Sequence, residues 1–257
     1  MHPLIDSHSH LDAPEFDADR TAVIERARAV GVTRQIVPAI RAADWPGLHA
    51  LCAGTEGVYP AYGLHPMFLA DHQPEHLDAL AVFVATHRTV AIGECGLDFH
   101  VDGLDADLQR LYFVRQLELA REVDLPVILH ARRAVDEVTA TLRRIGGLRG
   151  VVHSFSGSPE QAQALWKLGF CLGIGGPVTY ERAQRLRGIV ASMPIEFLLL
   201  ETDSPDQPLA AHRGARNEPA HLVEVLASIA GLRDEDAVKI AAATTANACR
   251  LFGLDRD

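Results

Sequence analysis

The sequence predicts a (β/α)8 barrel folded as one domain over residues 1–257. Three observations carry that expectation. Eight short aliphatic runs recur along the chain, each followed by a polar break, with helix-like stretches between them. The runs are continuously apolar, as parallel strands buried on both faces require. The length matches too, because such a barrel takes about 250 residues and folds as a single domain. A doubly wound open sheet shares the alternation, but its Gly-rich phosphate turn after the first strand is missing.

In chain order, the first strand candidate is 3–6 (PLID), entered directly from Met-His-Pro. A helix over 17–30 follows, with Gly31 as its stop. Strands are expected at 33–40 (TRQIVPAI), 57–63 (GVYPAYG) and 89–94 (TVAIGE). Residues 105–123 repeat Leu108, Leu111, Tyr112, Val114, Arg115 and Leu119 at helical spacing. Strands at 126–130 (PVILH) and 150–153 (GVVH) precede a helix over 158–168, where Ser-Pro-Glu supplies a cap and a first-turn proline. The last strands are 170–175 (FCLGIG) and 196–202 (EFLLLET), and helices at about 218–231 and 234–252 close the chain.

Composition narrows the class. An apolar share of 48% allows a large core. The 24 basic and 34 acidic residues leave a net charge of −10, which argues against a broad grip on duplex nucleic acid, where Lys and Arg on phosphates supply the affinity. Cys52, Cys95, Cys171 and Cys249 form no C-x-x-C pair and read as free thiols in a reducing compartment. No signal peptide and no 18-residue apolar run is present, so the expectation is a cytoplasmic protein without membrane contact, and a monomer.

In such a barrel the C-terminal ends of the strands share the face where activity sits. Five of the 13 histidines fall there: His8, His10, His65, His130 and His153. The fourth strand ends in Glu94 and the eighth in Glu201-Thr-Asp203. His8 and His10 lie two apart and so point to one side of an extended segment. H-x-H alone is weak, but six ligand-type residues at equivalent strand ends (His8, His10, Glu94, His130, His153, Asp203) predict a metal site. Four imidazoles and two carboxylates suffice for two cations if one carboxylate bridges. Imidazole-rich sites suit Zn, Mn, Fe or Ni, whereas Mg prefers oxygen. Two such ions about 3.5–4 Å apart generate a hydroxide near neutral pH and clamp attacking and leaving oxygens.

The motifs "IDSHSHLD", "YGLHP", "IGECGLDF", "PVILHAR", "VVHSFSG", "LLLETDSP" and "RNEP" stand in an order and at intervals that resemble the TatD family of metal-dependent hydrolases, nearly end to end. The resemblance implies a TIM barrel of the metal-dependent hydrolase type, with two divalent ions (Zn, Mn, Mg or Co). It implies that His8 and His10 hold one metal, that Glu94 bridges, that His130 and His153 hold the second, and that Asp203 ligates the first while handling a proton. It also implies hydrolysis of nucleic-acid ends, as a deoxyribonuclease with 3′-to-5′ action on single strands; deacylation of misacylated tRNA is attributed to relatives. Ser9 replaces the cysteine the family often has, a change expected to touch packing only. The 206–219 loop departs from the commonest wording and leaves substrate preference open.

Around that core several residues carry two readings. His65 donates to substrate phosphate or caps the turn at Pro66. Arg132 meets a phosphate oxygen or is a solvated helix residue. Arg216 and Asn217 hold phosphate or pin the long loop. Asp98 orients a ligand histidine or caps the segment after Gly96, and Glu201 acts as a supporting acceptor. Phe99, Phe155 and Tyr180 stack on bases or pack. The run Gly173–Gly176 lets substrate approach or forms a turn. Three functions stay open: a dinuclear phosphodiesterase, with Glu94 and Asp203 as its catalytic carboxylates and Arg132, Arg133, Arg213 and Arg216 near the mouth; a hydrolase of carbonyl bonds, such as an aminoacyl-tRNA deacylase or amidohydrolase; and a metal-binding scaffold without catalysis. The absence of a strand-end lysine for carboxylation favours the first over the second.

Overall fold

The computed structural model describes residues 3–254, so Met1, His2 and the last three residues lie outside the described residues. All eight strands form where the aliphatic runs predict them: β1 (Leu4–Asp6), β2 (Val32–Pro38), β3 (Val58–Tyr62), β4 (Ala91–Asp98), β5 (Val127–Arg132), β6 (Gly150–Val152), β7 (Cys171–Ile174) and β8 (Leu198–Leu200). They pair in parallel in sequence order. The ring is completed by the Ser7 N–H, which donates to the Leu200 carbonyl at 2.9 Å, and by the Asp203 N–H, which donates to the His8 carbonyl at 2.9 Å. The result is a (β/α)8 TIM barrel.

Nine α-helices surround the described barrel: α1 (Arg20–Ala29), α2 (Trp45–Gly54), α3 (Glu75–Thr86), α4 (Ala106–Glu122), α5 (Val135–Ile145), α6 (Pro159–Trp166), α7 (Gln184–Ser192), α8 (Leu222–Arg233) and α9 (Ala237–Phe252). The Ser-Pro-Glu signal before α6 becomes a capping box: the Ser158 hydroxyl accepts from the Gln161 N–H, and the Gln161 side chain accepts from the Ser158 N–H. Three expected helix starts shift, that of α9 to Ala237, where the Asp236 carboxylate caps the helix by accepting from the Val238 N–H. Helix α1 starts at Arg20 because Pro14–Phe16 forms a 3-10 turn, and α8 starts at Leu222 because Pro219–His221 does the same. No helix among the described residues is long and apolar enough to cross a membrane.

Two apolar layers result. One lies between strands and helices. The other fills the barrel with Ile5, Ile36, Ala61, Ala91, Ile128, Val151 and Leu199. Ala248, Phe252 and Leu254, from the end of α9 and just beyond, join this inner layer and stopper the end from which the strands start. Strand alternation then fixes what stands above it. His130 is two residues beyond Ile128, His153 two beyond Val151 and Glu201 two beyond Leu199. The inner core is therefore the floor on which the polar site is built.

Candidate metal centre and active site

Glu94 occupies the focus of the site. It lies inside β4, which runs on to Asp98 rather than ending at Glu94 as the sequence suggests. The register between β4 and β5 shifts between Ile92 and Cys95. That irregularity re-aims a side chain, and the buried Glu94 carboxylate sits in the middle of the barrel mouth.

Its two oxygens face different groups. Oε2 lies 3.2 Å from His8 Nε2 and 3.7 Å from His10 Nε2. Asp203 Oδ1 lies 3.5 and 3.6 Å from the same two nitrogens, which are 3.3 Å apart. Oε1 lies 3.0 Å from His130 Nδ1, 2.8 Å from His153 Nε2 and 2.9 Å from His65 Nε2. All six residues of the expected metal set thus meet at one place, together with His65.

Hydrogen bonds distinguish His65 from the other imidazoles. His65 Nδ1 accepts from the Met67 N–H at 3.1 Å, so in the neutral ring the proton is on Nε2, facing Glu94. Burial pushes this ring down to about 4, against the pull of Glu94, so it is neutral at pH 7. It is a donor there, not a lone-pair ligand. His130 is the reverse case: Nε2 lies 2.8 Å from Asp98 Oδ2, leaving the Nδ1 lone pair for the centre. Asp98 is held by the His100 and Val101 N–H groups, which donate to Oδ1. Burial would raise Asp98, but the His130 hydrogen bond and those two N–H groups hold it well below the usual carboxylate range.

Electrostatics fits a cationic occupant. Burial would raise Glu94, yet the surrounding His153, His65 and His8 rings and the His130 hydrogen bond hold it well below its ordinary range. Burial pushes His8 well down. Burial also opposes charge on His153, but Glu94 overcomes it and lifts that ring to about 10. Burial raises Asp203, and it carries Glu201 up to about 8. A buried carboxylate ringed by imidazoles calls for positive charge at its centre. Bare ring nitrogens at 3.3–3.4 Å from each other need a cation, or protons, between them. The donor set fits divalent ions: two imidazoles and two carboxylates on one side, two imidazoles and the other Glu94 oxygen on the second.

The frame around the centre is built from glycine and buried polar bonds. A Cβ on Gly173 would stand 1.9 Å from Glu201 Oε2, so that glycine makes room for the carboxylate rather than for substrate. Glu201 accepts from the Ser154 N–H, and its Oε1 lies 4.0 Å from His153 Nδ1. Asp6 latches the first strand to the last: its carboxylate accepts from the His8 and Thr202 N–H groups and from the Thr202 hydroxyl at 2.6 Å. Burial lifts Asp6 to about 7. Ser9 is fully buried, as a packing residue is.

A cavity of about 930 Å³ opens over the centre. Arg132 stands exposed at its rim, and its guanidinium has no partner among the described residues. Arg216 does not face it. Its guanidinium is bound to Asp19 at 2.8 Å and to the Glu15 carbonyl at 2.7 Å, and lies over the Phe16 ring, so it pins the long loop to the N-terminal segment. Asn217 ties the loop from inside to itself and to the end of the last strand, donating to the carbonyls of Thr202, Asp206 and Gln207. Of the three aromatics, Phe155 lines the cavity, while the Tyr180 hydroxyl donates to the Pro208 carbonyl and Phe99 lies under Arg110. Two lining residues had no sequence signal. Arg41 follows β2 and pairs with Asp44. Gln207 donates to both Asp203 Oδ2 and the Ser154 hydroxyl from a left-handed backbone (φ 51°).

Residues 5–253 match the family model described as TatD related DNase. The uncharacterized metal-dependent hydrolase YjjV of Escherichia coli K12 is 41% identical over 253 residues, which is 97% of this chain and 98% of that protein. The 3′-5′ ssDNA/RNA exonuclease TatD of Klebsiella pneumoniae strain 342 is 35% identical over 263 residues, 98% of each. The crystal structure of the E. coli K12 YjjV, a TatD homolog, matches with a TM-score of 0.92 at 40% identity, covering 97% of this chain and 98% of that one. From β1 through α9, this chain belongs to the TatD family of metal-dependent hydrolases.

Proposed function

We propose that the protein is a phosphodiesterase that removes nucleotides from single-stranded nucleic-acid ends, as a 3′-to-5′ exonuclease working with two divalent cations. The observation that carries the reading is Glu94, whose oxygens face two separate ligand groups 2.8–3.7 Å away. In this reading His8, His10, Glu94 and Asp203 hold one ion; Glu94, His130 and His153 hold the other. The imidazole share favours Zn, Mn or Co over Mg. Such a pair supplies an activated water and charge for the phosphate oxygens.

The chain's own groups do the rest. Asp203 takes the proton of the attacking water and returns it to the leaving oxygen. The His65 N–H and the unpaired Arg132 guanidinium meet non-bridging phosphate oxygens. Phe155 offers a face for the terminal base. A strand end in the cavity, rather than a broad grip on a duplex, is in keeping with the −10 charge. The enzyme acts as a one-domain cytoplasmic monomer. A second reading, hydrolysis of an aminoacyl or other carbonyl ester, is favoured by Asp12, Glu15, Asp44 and Asp206 on the cavity wall, a field that suits an ammonium group.

The test is hydrolysis by EDTA-stripped protein reloaded with Mg, Mn, Zn or Co. Substrates are 5′-labelled single-stranded DNA and RNA, bis-p-nitrophenyl phosphate and an aminoacyl ester. Metal-restored shortening from the 3′ end supports the exonuclease; cleavage of the ester alone moves the protein to the carbonyl class.

A further inference from the structure

We propose a separate transition-metal site formed by His212, His221 and Glu224, which fastens the loop that roofs the active centre. One nitrogen from each ring and one Glu224 oxygen lie within 4.8 Å of one another. The rings stack nearly parallel, with centroids 4.0 Å apart and planes at 11°, so their in-plane lone pairs run side by side and the partly exposed His212 turns out of the stack to share an ion with His221. His212 Nε2 lies 2.7 Å from Glu224 Oε1. None of the three touches the catalytic ligands.

The tautomer of His221 is fixed by its surroundings. Asn217 Nδ2 is spent on three backbone carbonyls, so Oδ1 is the oxygen that faces His221 Nδ1 at 2.9 Å, while also accepting from the Glu218 N–H. His221 Nδ1 is therefore the donor, and Nε2 carries a lone pair. A ring N–H bound to a carbonyl-type oxygen is the usual support of a ligating histidine. The adjacent positive charge is already consumed, because Arg26 is bound to Glu218 and Asp19. Two imidazoles and one carboxylate suit Zn, Ni or Cu, with water completing the shell, and do not suit Mg or Ca.

The placement gives the site a consequence. His212 closes the short 3-10 turn Ala210–His212 in the 206–219 loop, while Glu224 lies in the first turn of α8 and His221 just before it. A shared cation ties the loop to the helix, through the same Asn217 that holds the carbonyls of Asp206 and Gln207. Gln207 in turn binds Asp203. The loop that departs from the common family wording thus carries its own clasp.

The test is Zn and Co binding to the full-length, metal-stripped chain, compared with His212→Ala and Glu224→Gln, both partly exposed positions. Expected are one fewer metal per chain in each variant, and an anomalous scattering peak between His212 and His221 in zinc-loaded wild-type crystals. Zn should also slow tryptic cleavage after the exposed Arg213 by tenfold or more in wild type, and not in either variant. Equal stoichiometry and equal protection in all three proteins overturn the proposal, whatever the hydrolysis assay returns.

Discussion

At the scale of single residues, Glu94 is where the chemistry concentrates. Glu94→Ala is expected to bring hydrolysis to background while circular dichroism and melting remain those of a folded chain; near-normal activity would remove the bridging role. In the proposed two-ion assignment His153 serves one side alone, so His153→Ala should lower the metal content of the centre from two to one, read by metal analysis on a His212→Ala background. Gly173 is a sharper probe of architecture. A methyl there collides with the Glu201 carboxylate, and overpacking of that kind costs about 1–3 kcal/mol. Gly173→Ala should melt lower than wild type, and adding Glu201→Ala should recover much of the loss. Failure of that rescue would mean the glycine serves the backbone instead.

At the scale of elements, the strands were legible because their apolar runs are unbroken, and the site residues because they stand at strand ends. The rest was hidden for physical reasons. Helix α2 reads WPGLHALCAG, with Pro and Gly diluting any helical period. β4 continues past Glu94 because CGLD still pairs with β5, which periodicity cannot foresee across an irregular register. Arg41 and Gln207 reach the cavity from loops, and no spacing rule announces loop geometry. The two arginines offered as phosphate contacts part company here. Arg132→Ala should lower kcat/KM on phosphodiesters about 10- to 100-fold, the worth of a charge-assisted hydrogen bond, with melting unchanged. Arg216→Ala should instead cost about 1 kcal/mol of stability through its lost ion pair and ring contact, with little change in kcat/KM. The reverse pattern would exchange their roles.

At the scale of the molecule, acid should loosen the join between the N-terminal segment and the long loop. Hydrogen bonding from Arg216, against a small burial cost and with help from Arg26, holds Asp19 at about 2, and Arg26 lowers Glu218. Groups depressed in the folded state stabilise it above their unfolded values, about 4, and that stability is lost as pH falls through the folded values. Melting temperature should therefore drop between about pH 4 and pH 2, and Arg26→Ala should flatten the drop. An unchanged slope in the variant would assign acid sensitivity elsewhere.

The Asp6–Thr202 latch joins residues 196 positions apart. His8 and His10 arrive with the first strand and Asp203 follows the last, so no fragment that stops short of Asp203 owns all six expected ligands. For an enzyme proposed to act on nucleic acid, this is an interlock: a chain that ends before the last strand lacks Asp203, one of the six expected ligands.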